Sequence, residues 1–169
     1  MSRGRIYLVA AISALVGLIA DQLSKWALVS FSGLHAYTSI HVLSIFDVVL
    51  WRNYGTSFSL FRTSEAWGPY AFSLAALVII VFLVLWLSRM VSPILAAAIG
   101  AVIGGALGNV IDRLRFGYVV DFLYFHIGEY GWPAFNVADS LIVVGIGVLV
   151  FDGMFVSHKT DKMARRKQP

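Results

Sequence analysis

Four long apolar stretches, Ile6–Ala20, Tyr70–Leu87, Ile94–Ile111 and Val137–Val156, constrain this chain more than any other feature. A lipid bilayer offers the backbone no water to bond, so a segment of this kind closes its own hydrogen bonds as an α-helix. About 20 residues cross the hydrocarbon core. Composition agrees: 59% of the residues are hydrophobic and 13% charged, where soluble domains carry about 25% charged residues. Mean hydropathy is +0.82. The chain reads as one integral membrane domain over residues 1–169, with spans at about 6–29, 70–87, 94–111 and 137–156.

The first stretch is too short to span unless its helix runs on through Asp21 and Lys25 to Val29. Spaced i,i+4, those two side chains share a helix face and can pair near the edge of the bilayer. A cleavable leader would also begin with a basic end, an apolar core and a small residue such as Ala20. Leu18 is ill suited to the −3 position of such a site, which favours the continuous helix. Pro93 opens the third span, where proline is tolerated. Gly100, Gly104 and Gly108 then recur every fourth residue, a small-residue row that lets another helix approach closely. Helix packing accounts for Gly100 and Gly104 without any other role.

Charge sets the expected orientation. Of 13 basic residues, Arg3, Arg5, Arg89, Lys159, Lys162, Arg165, Arg166 and Lys167 lie at the ends or in one short loop. That is the positive-inside pattern, so the net charge of +4 speaks for membrane topology and against nucleic acid. An even number of spans puts both termini in the cytoplasm and the two longer loops on the outer face. The first of these is rich in Val, Ile, Phe and Trp from His41 to Leu60, with a turn signal at Asn53-Tyr54-Gly55. It predicts a small β subdomain over about 38–62, and the second loop a short connection or helix. The expected fold is therefore membrane all-α: four transmembrane helices carrying an outer β cradle. The chain has no cysteine, and His35, His41, His126 and His158 show no ligand spacing, so no metal or other cofactor is expected.

The candidate chemistry gathers between Gly104 and Ser140. Ionisable groups in or beside a membrane span are expensive and are functional candidates by default. Asn109, Asp112 and Arg113 share one face at the outer end of the third helix. There Asp112 can neutralise Arg113 as an interfacial ion pair, while Arg113 and Asn109 can donate to a bound carbonyl. Asp121 stands among Val119, Val120, Phe122 and Leu123, which would hold its carboxyl out of bulk solvent. Asn136 and Asp139 have the spacing of an N-cap and its capping-box partner at the start of the fourth helix. A cap alone would explain them. The helix N-terminus also favours negative charge at Asp139. Opposite Asp121 in an apolar setting, it would form a pair in which only one carboxylate ionises easily. Such asymmetry suits hydrolysis by two carboxylates.

Five motifs occur in order: Asp21-Gln22-Leu23-Ser24-Lys25, Asn53-Tyr54-Gly55-Thr56-Ser57-Phe58, Gly104 to Arg113, Val120-Asp121-Phe122 and Phe135-Asn136-Val137-Ala138-Asp139. With the four-span layout they closely resemble the lipoprotein signal peptidases (signal peptidase II) of bacteria, over nearly the whole chain except its ends and the segment from Phe31 to Leu50. The resemblance implies an aspartic endopeptidase of the bacterial inner membrane that needs no metal and works at the outer leaflet. Its substrates would be prolipoproteins whose lipobox cysteine already carries diacylglyceryl, cut just before that cysteine. Asp121 and Asp139 would be catalytic. Asn53, Asn109, Arg113 and Asn136 would position the substrate. Asp21, Lys25, Gly55, Gly105, Gly108 and Asp112 would support the architecture, with Asp21 and Lys25 alternatively at the lipid-facing end of the site. Membrane lipid and globomycin-type inhibitors would be partners, and nothing demands an oligomer.

Two other classes use similar residues. A transporter or proton-conducting subunit keeps membrane carboxylates, but usually near the midplane. Here they gather at one end of the spans, and Asp152 lies towards the other. A membrane protein that only binds lipid or a partner would keep Asp139 as a cap and Asp112 as an ion pair. The Gly-x-Gly-Asp signature of presenilin-like proteases is missing.

Overall fold

Helix α3 (Pro93–Phe116) is the element that the others pack around. The computed structural model describes residues 2–31, 33, 38–55 and 67–156. The expectations for Thr56, Ser57, Phe58, residues 56–62 of the β subdomain and the basic tail from His158 lie outside them. Local chemistry sets both ends of α3. Ser92 caps its N-terminus by accepting from Leu95 N, Pro93 occupies the first turn, and Gly117 ends it at φ 76. Along it, a Cβ at Gly100 would strike the carbonyl of Ala10, and one at Gly104 that of Ala14. A Cβ at Gly105 would lie 2.5 Å from the carbonyl of Ala138. Glycine thus brings α1 (Arg3–Phe31) and α4 (Val137–Phe151) onto the backbone of α3. A π-helical turn, Asp152–Val156, extends α4.

Helix α2 (Gly68–Leu87) completes the bundle and turns Leu74, Val78, Phe82 and Leu85 outwards. The buried side, by contrast, joins Ile6, Ala10, Leu83, Leu87, Ala96, Ile99 and Val102. An apolar exterior of this kind is stable in lipid rather than water. All four helices are long and apolar enough to cross a membrane. The protein is a multi-pass membrane protein.

A four-stranded antiparallel sheet stands at one end of the bundle, in the order β1-β2-β3-β4. Strands β1 (Ser39–Leu43) and β2 (Phe46–Asn53) form a hairpin, with Ser39 opposite Val49. Their partners, β3 (Val119–Ile127) and β4 (Tyr130–Gly131), come from the segment between α3 and α4. The expected short connection or helix there is therefore a nine-residue strand, whose β-branched and aromatic residues suit a sheet. Its first four residues are all buried, so it lacks the in–out alternation that would have marked it. The turn expected at Asn53-Tyr54-Gly55 lies at the end of β2. Gly55 adopts φ 91, its N–H donates to Asn53 Oδ1 at 2.8 Å, and the Phe72 ring fills the space a side chain would need.

Candidate active site

A buried ionic cluster lies beneath the site. Lys25 Nζ sits 2.8 Å from Asp21 Oδ2 and 2.8 Å from Asp112 Oδ2, and also donates to Asn109 Oδ1 at 3.2 Å. Buried charges are tolerable when paired and hydrogen-bonded, and the remaining oxygens find donors. Asp21 Oδ1 accepts from Ala138 N at 2.9 Å, and Asp112 accepts from Val120 N at 3.1 Å and Gln22 Nε2 at 3.0 Å. One cluster thereby fixes α1, α3, β3 and the start of α4 relative to one another. A Cβ at Gly108 would collide with the Asp21 carboxylate, so glycine is what admits that group.

Two expectations change here. The partner of Asp112 is Lys25, not Arg113, because the α3 face that carries Asp112 meets α1. Asp21 and Lys25 are almost wholly buried, between α1, α3 and the start of α4, and not on a lipid-facing surface.

Above this cluster, three asparagines hold two carboxylates. Asp121, on β3 and 2% exposed, accepts from Asn53 Nδ2 at 2.9 Å and from Asn136 Nδ2 at 2.8 Å. Asp139, in the first turn of α4, accepts from Asn109 Nδ2 at 2.8 Å and from Asn136 N at 3.3 Å. Asn136 Oδ1 in turn accepts from Asp139 N at 2.9 Å, so the capping box forms as its spacing foretold. Asn136 therefore touches both carboxylates, one through its side chain and one through its backbone.

Burial, and next the Asp139 carboxylate, push Asp121 up to about 7 from 3.8, against the opposing pull of Asn53, Asn136 and Lys25. A carboxyl group that titrates near neutrality beside a second carboxylate is equipped to hold and pass a proton.

A cavity of about 660 Å³ opens beside the pair, with Asp139, Asn53 and Arg113 in its wall and Phe72, Val143 and Val144 on its apolar side. Arg113 donates to the Asn109 carbonyl at 3.3 Å, and its guanidinium lies over the Phe72 ring at 5.6 Å. Asp121 is tied to the cavity wall through Asn53. The amides of Asn109 and Asn136 already serve groups inside the cluster, including Lys25, Asp121 and Asp139. Both hold the carboxylates in place, whereas Arg113 presents donors to the cavity. Gly55 lines the cavity edge, and Gly105 sets the α3–α4 approach.

Sequence reasoning passed over Gln22 and Phe72. Gln22 bonds Asp21, Asp112 and the Gly108 carbonyl, and an amide inside an apolar helix is the signal that marks it. Phe72 has no such signal within an apolar span.

A family model for signal peptidase (SPase) II matches residues 13–155. The lipoprotein signal peptidase of Shewanella pealeana is 46% identical over 147 residues, 85% of this chain and 84% of that protein. That of Beijerinckia indica is 39% identical over 141 residues, 83% of this chain and 84% of that protein. Among solved structures, a bacterial membrane enzyme determined by the in meso method at 1.9 Å resolution superimposes with a TM-score of 0.74. It is 26% identical, with 86% of this chain and 92% of the other covered.

Proposed function

This chain belongs to the signal peptidase II family of aspartic peptidases, and we propose that it cleaves prolipoprotein signal peptides with Asp121 and Asp139 as its catalytic pair. The observation that carries the assignment is Asn136 bridging two carboxylates, one of which titrates near 7. In the proposed reaction a water sits between the pair. One carboxylate takes a proton from the water as its oxygen attacks the scissile carbonyl carbon, while the protonated partner hydrogen-bonds the carbonyl oxygen. The tetrahedral diol collapses when the amide nitrogen gains a proton and the C–N bond breaks. Arg113, in the cavity wall, supplies donors to the oxygen on which charge develops.

The surroundings support a lipid-modified substrate. The apolar wall of Phe72, Val143 and Val144 belongs to α2 and α4, helices whose outer faces suit lipid. A diacylglyceryl-cysteine segment can enter there without leaving the bilayer, its chains in lipid and its backbone at the carboxylates. The basic ends and Arg89 support an orientation with both termini in the cytoplasm and the site at the outer leaflet of the bacterial inner membrane. Globomycin-type cyclic peptides would compete for the same cavity. The transporter reading loses ground because these carboxylates cluster where helix ends meet the sheet. The binding-only reading loses ground because a cap needs no second buried carboxyl group.

The purified protein in detergent, offered a diacylglyceryl-modified prolipoprotein and its unmodified counterpart, is expected to cut the modified one alone, before the cysteine, and to be blocked by globomycin. Equal cleavage of both substrates would remove the role given to the lipid, and cleavage of neither would remove the peptidase reading.

A further inference from the structure

His41, Asp47 and His126 meet on three adjacent strands, although His126 is far from the other two in sequence. The β1–β2 register sets His41 opposite Asp47. The β2–β3 register sets Asp47 opposite Tyr124, and His126, two residues on, points to the same face. His41 Nδ1 lies 2.8 Å from Asp47 Oδ1, and His126 Nε2 lies 3.4 Å from Asp47 Oδ2. One ligand atom from each of the three side chains lies within 4.8 Å of the other two.

Two features of this trio are unexplained by sheet packing. His126 Nε2 is buried without a hydrogen-bond partner, since its approach to Asp47 lacks bonding geometry. Leaving a buried polar atom unpaired is costly, and a ligand there would relieve it. The second feature is the donor set itself. Two imidazoles and one carboxylate suit a first-row transition cation, whereas magnesium and calcium call for more oxygen ligands.

We propose that His41, Asp47 and His126 form a site for a divalent transition cation of the zinc type. Ligand atoms on a tetrahedral zinc, with bonds of about 2.0–2.2 Å, lie about 3.4 Å apart. The separations of 2.8 Å and 3.4 Å are to different oxygens of Asp47, Oδ1 and Oδ2, and the three ligand atoms lie within 4.8 Å of one another, so side-chain rotation brings them to the spacing zinc needs. The His41 side chain is 69% exposed, which leaves the fourth position to water. Bound there, the cation pins β1, β2 and β3 together. Asp121 stands five residues back along β3, roughly 16 Å away, so the cation braces the sheet and takes no part in the carboxylate chemistry.

The test is Zn2+ titration of the full chain in detergent, with any affinity tag removed and the sample stripped by chelator. Calorimetry and Tm are read together. One equivalent of Zn2+ is expected to bind, and a hundredfold excess over its dissociation constant to raise Tm by roughly 5 °C or more. Mg2+ should do neither. Asp47→Asn, His126→Gln and His41→Gln should each weaken binding at least about tenfold and keep signal-peptide cleavage. The exposed His41 side chain makes its variant the safeguard against misfolding. No Zn2+ uptake by the unaltered protein would overturn the site. Unchanged uptake in His41→Gln and His126→Gln would do the same, and would put the ion on other histidines.

Discussion

The side-chain amide of Asn136 donates to the Asp121 carboxylate at 2.8 Å while its side-chain oxygen caps α4 through the N–H of Asp139. A single residue therefore sets the helix end and spaces the two carboxylates. The two jobs can be separated. Asn136→Ser retains a cap but loses the donor to Asp121, whereas Asn136→Ala loses both. Both variants should lose cleavage by about a hundredfold or more, and only Asn136→Ala should also lose about 1–2 kcal/mol from the missing cap. Thermal unfolding set beside turnover checks this. Cleavage that returns with serine would leave Asn136 a cap and nothing more.

Asp121 gives the protein a pH signature. Its folded value of about 7 lies above the ordinary 3.8, so the folded chain keeps a proton that the unfolded chain releases. That contribution to stability is complete below about pH 4 and is lost as the pH rises through about 7. Asp121→Asn removes the loss, so its Tm should gain on the unaltered protein as pH rises across this window. Cleavage by the unaltered protein should fall on the alkaline side with an apparent midpoint near 7, a value that belongs to the pair. Asn53→Ala, which removes a bond to the ionised form, should move that midpoint upwards. A downward move would contradict the assigned cause.

Lys25 holds two buried carboxylates at 2.8 Å each. Lys25→Met leaves Asp21 and Asp112 facing each other without a cation, and should destabilise the protein by about 3–5 kcal/mol. Combining Lys25→Met with Asp21→Asn and Asp112→Asn removes the charges together and should recover much of that loss. Denaturation in detergent measures both. Little loss in the single variant would show that water reaches the cluster.

What could be read in the sequence was what is local along the chain or repeated along a helix. The spans followed from apolar length, the Asp21–Lys25 pair from i,i+4 spacing, and the capping box from the i,i+3 spacing of Asn136 and Asp139. Contacts made by packing were hidden. Asp112 offered Arg113 as its obvious neighbour, yet the turn of α3 aims it at Lys25 on another helix. Strand β3 was hidden because burial on both faces erases the period-two pattern. The meetings of Asp121 with Asn53 and of His126 with Asp47 exist only once that strand pairs with β2. The carboxylates themselves were legible as exceptions in apolar surroundings, and Asn53, Asn109 and Asn136 as site residues, but not that Asn53 and Asn136 bond Asp121 and Asn109 bonds Asp139.

The decisive measurement is cleavage of a diacylglyceryl-modified prolipoprotein by the unaltered protein, Asp121→Asn and Asp139→Asn, each shown to be folded in detergent by its unfolding transition. Asparagine keeps the shape and still caps a helix, but neither accepts nor releases the proton that the reaction moves. Both variants should be folded and slower by at least about a thousandfold, while the unaltered protein cuts before the modified cysteine. A folded variant that cleaves at near-normal rate would contradict the pair, and would return that aspartate to a purely structural role.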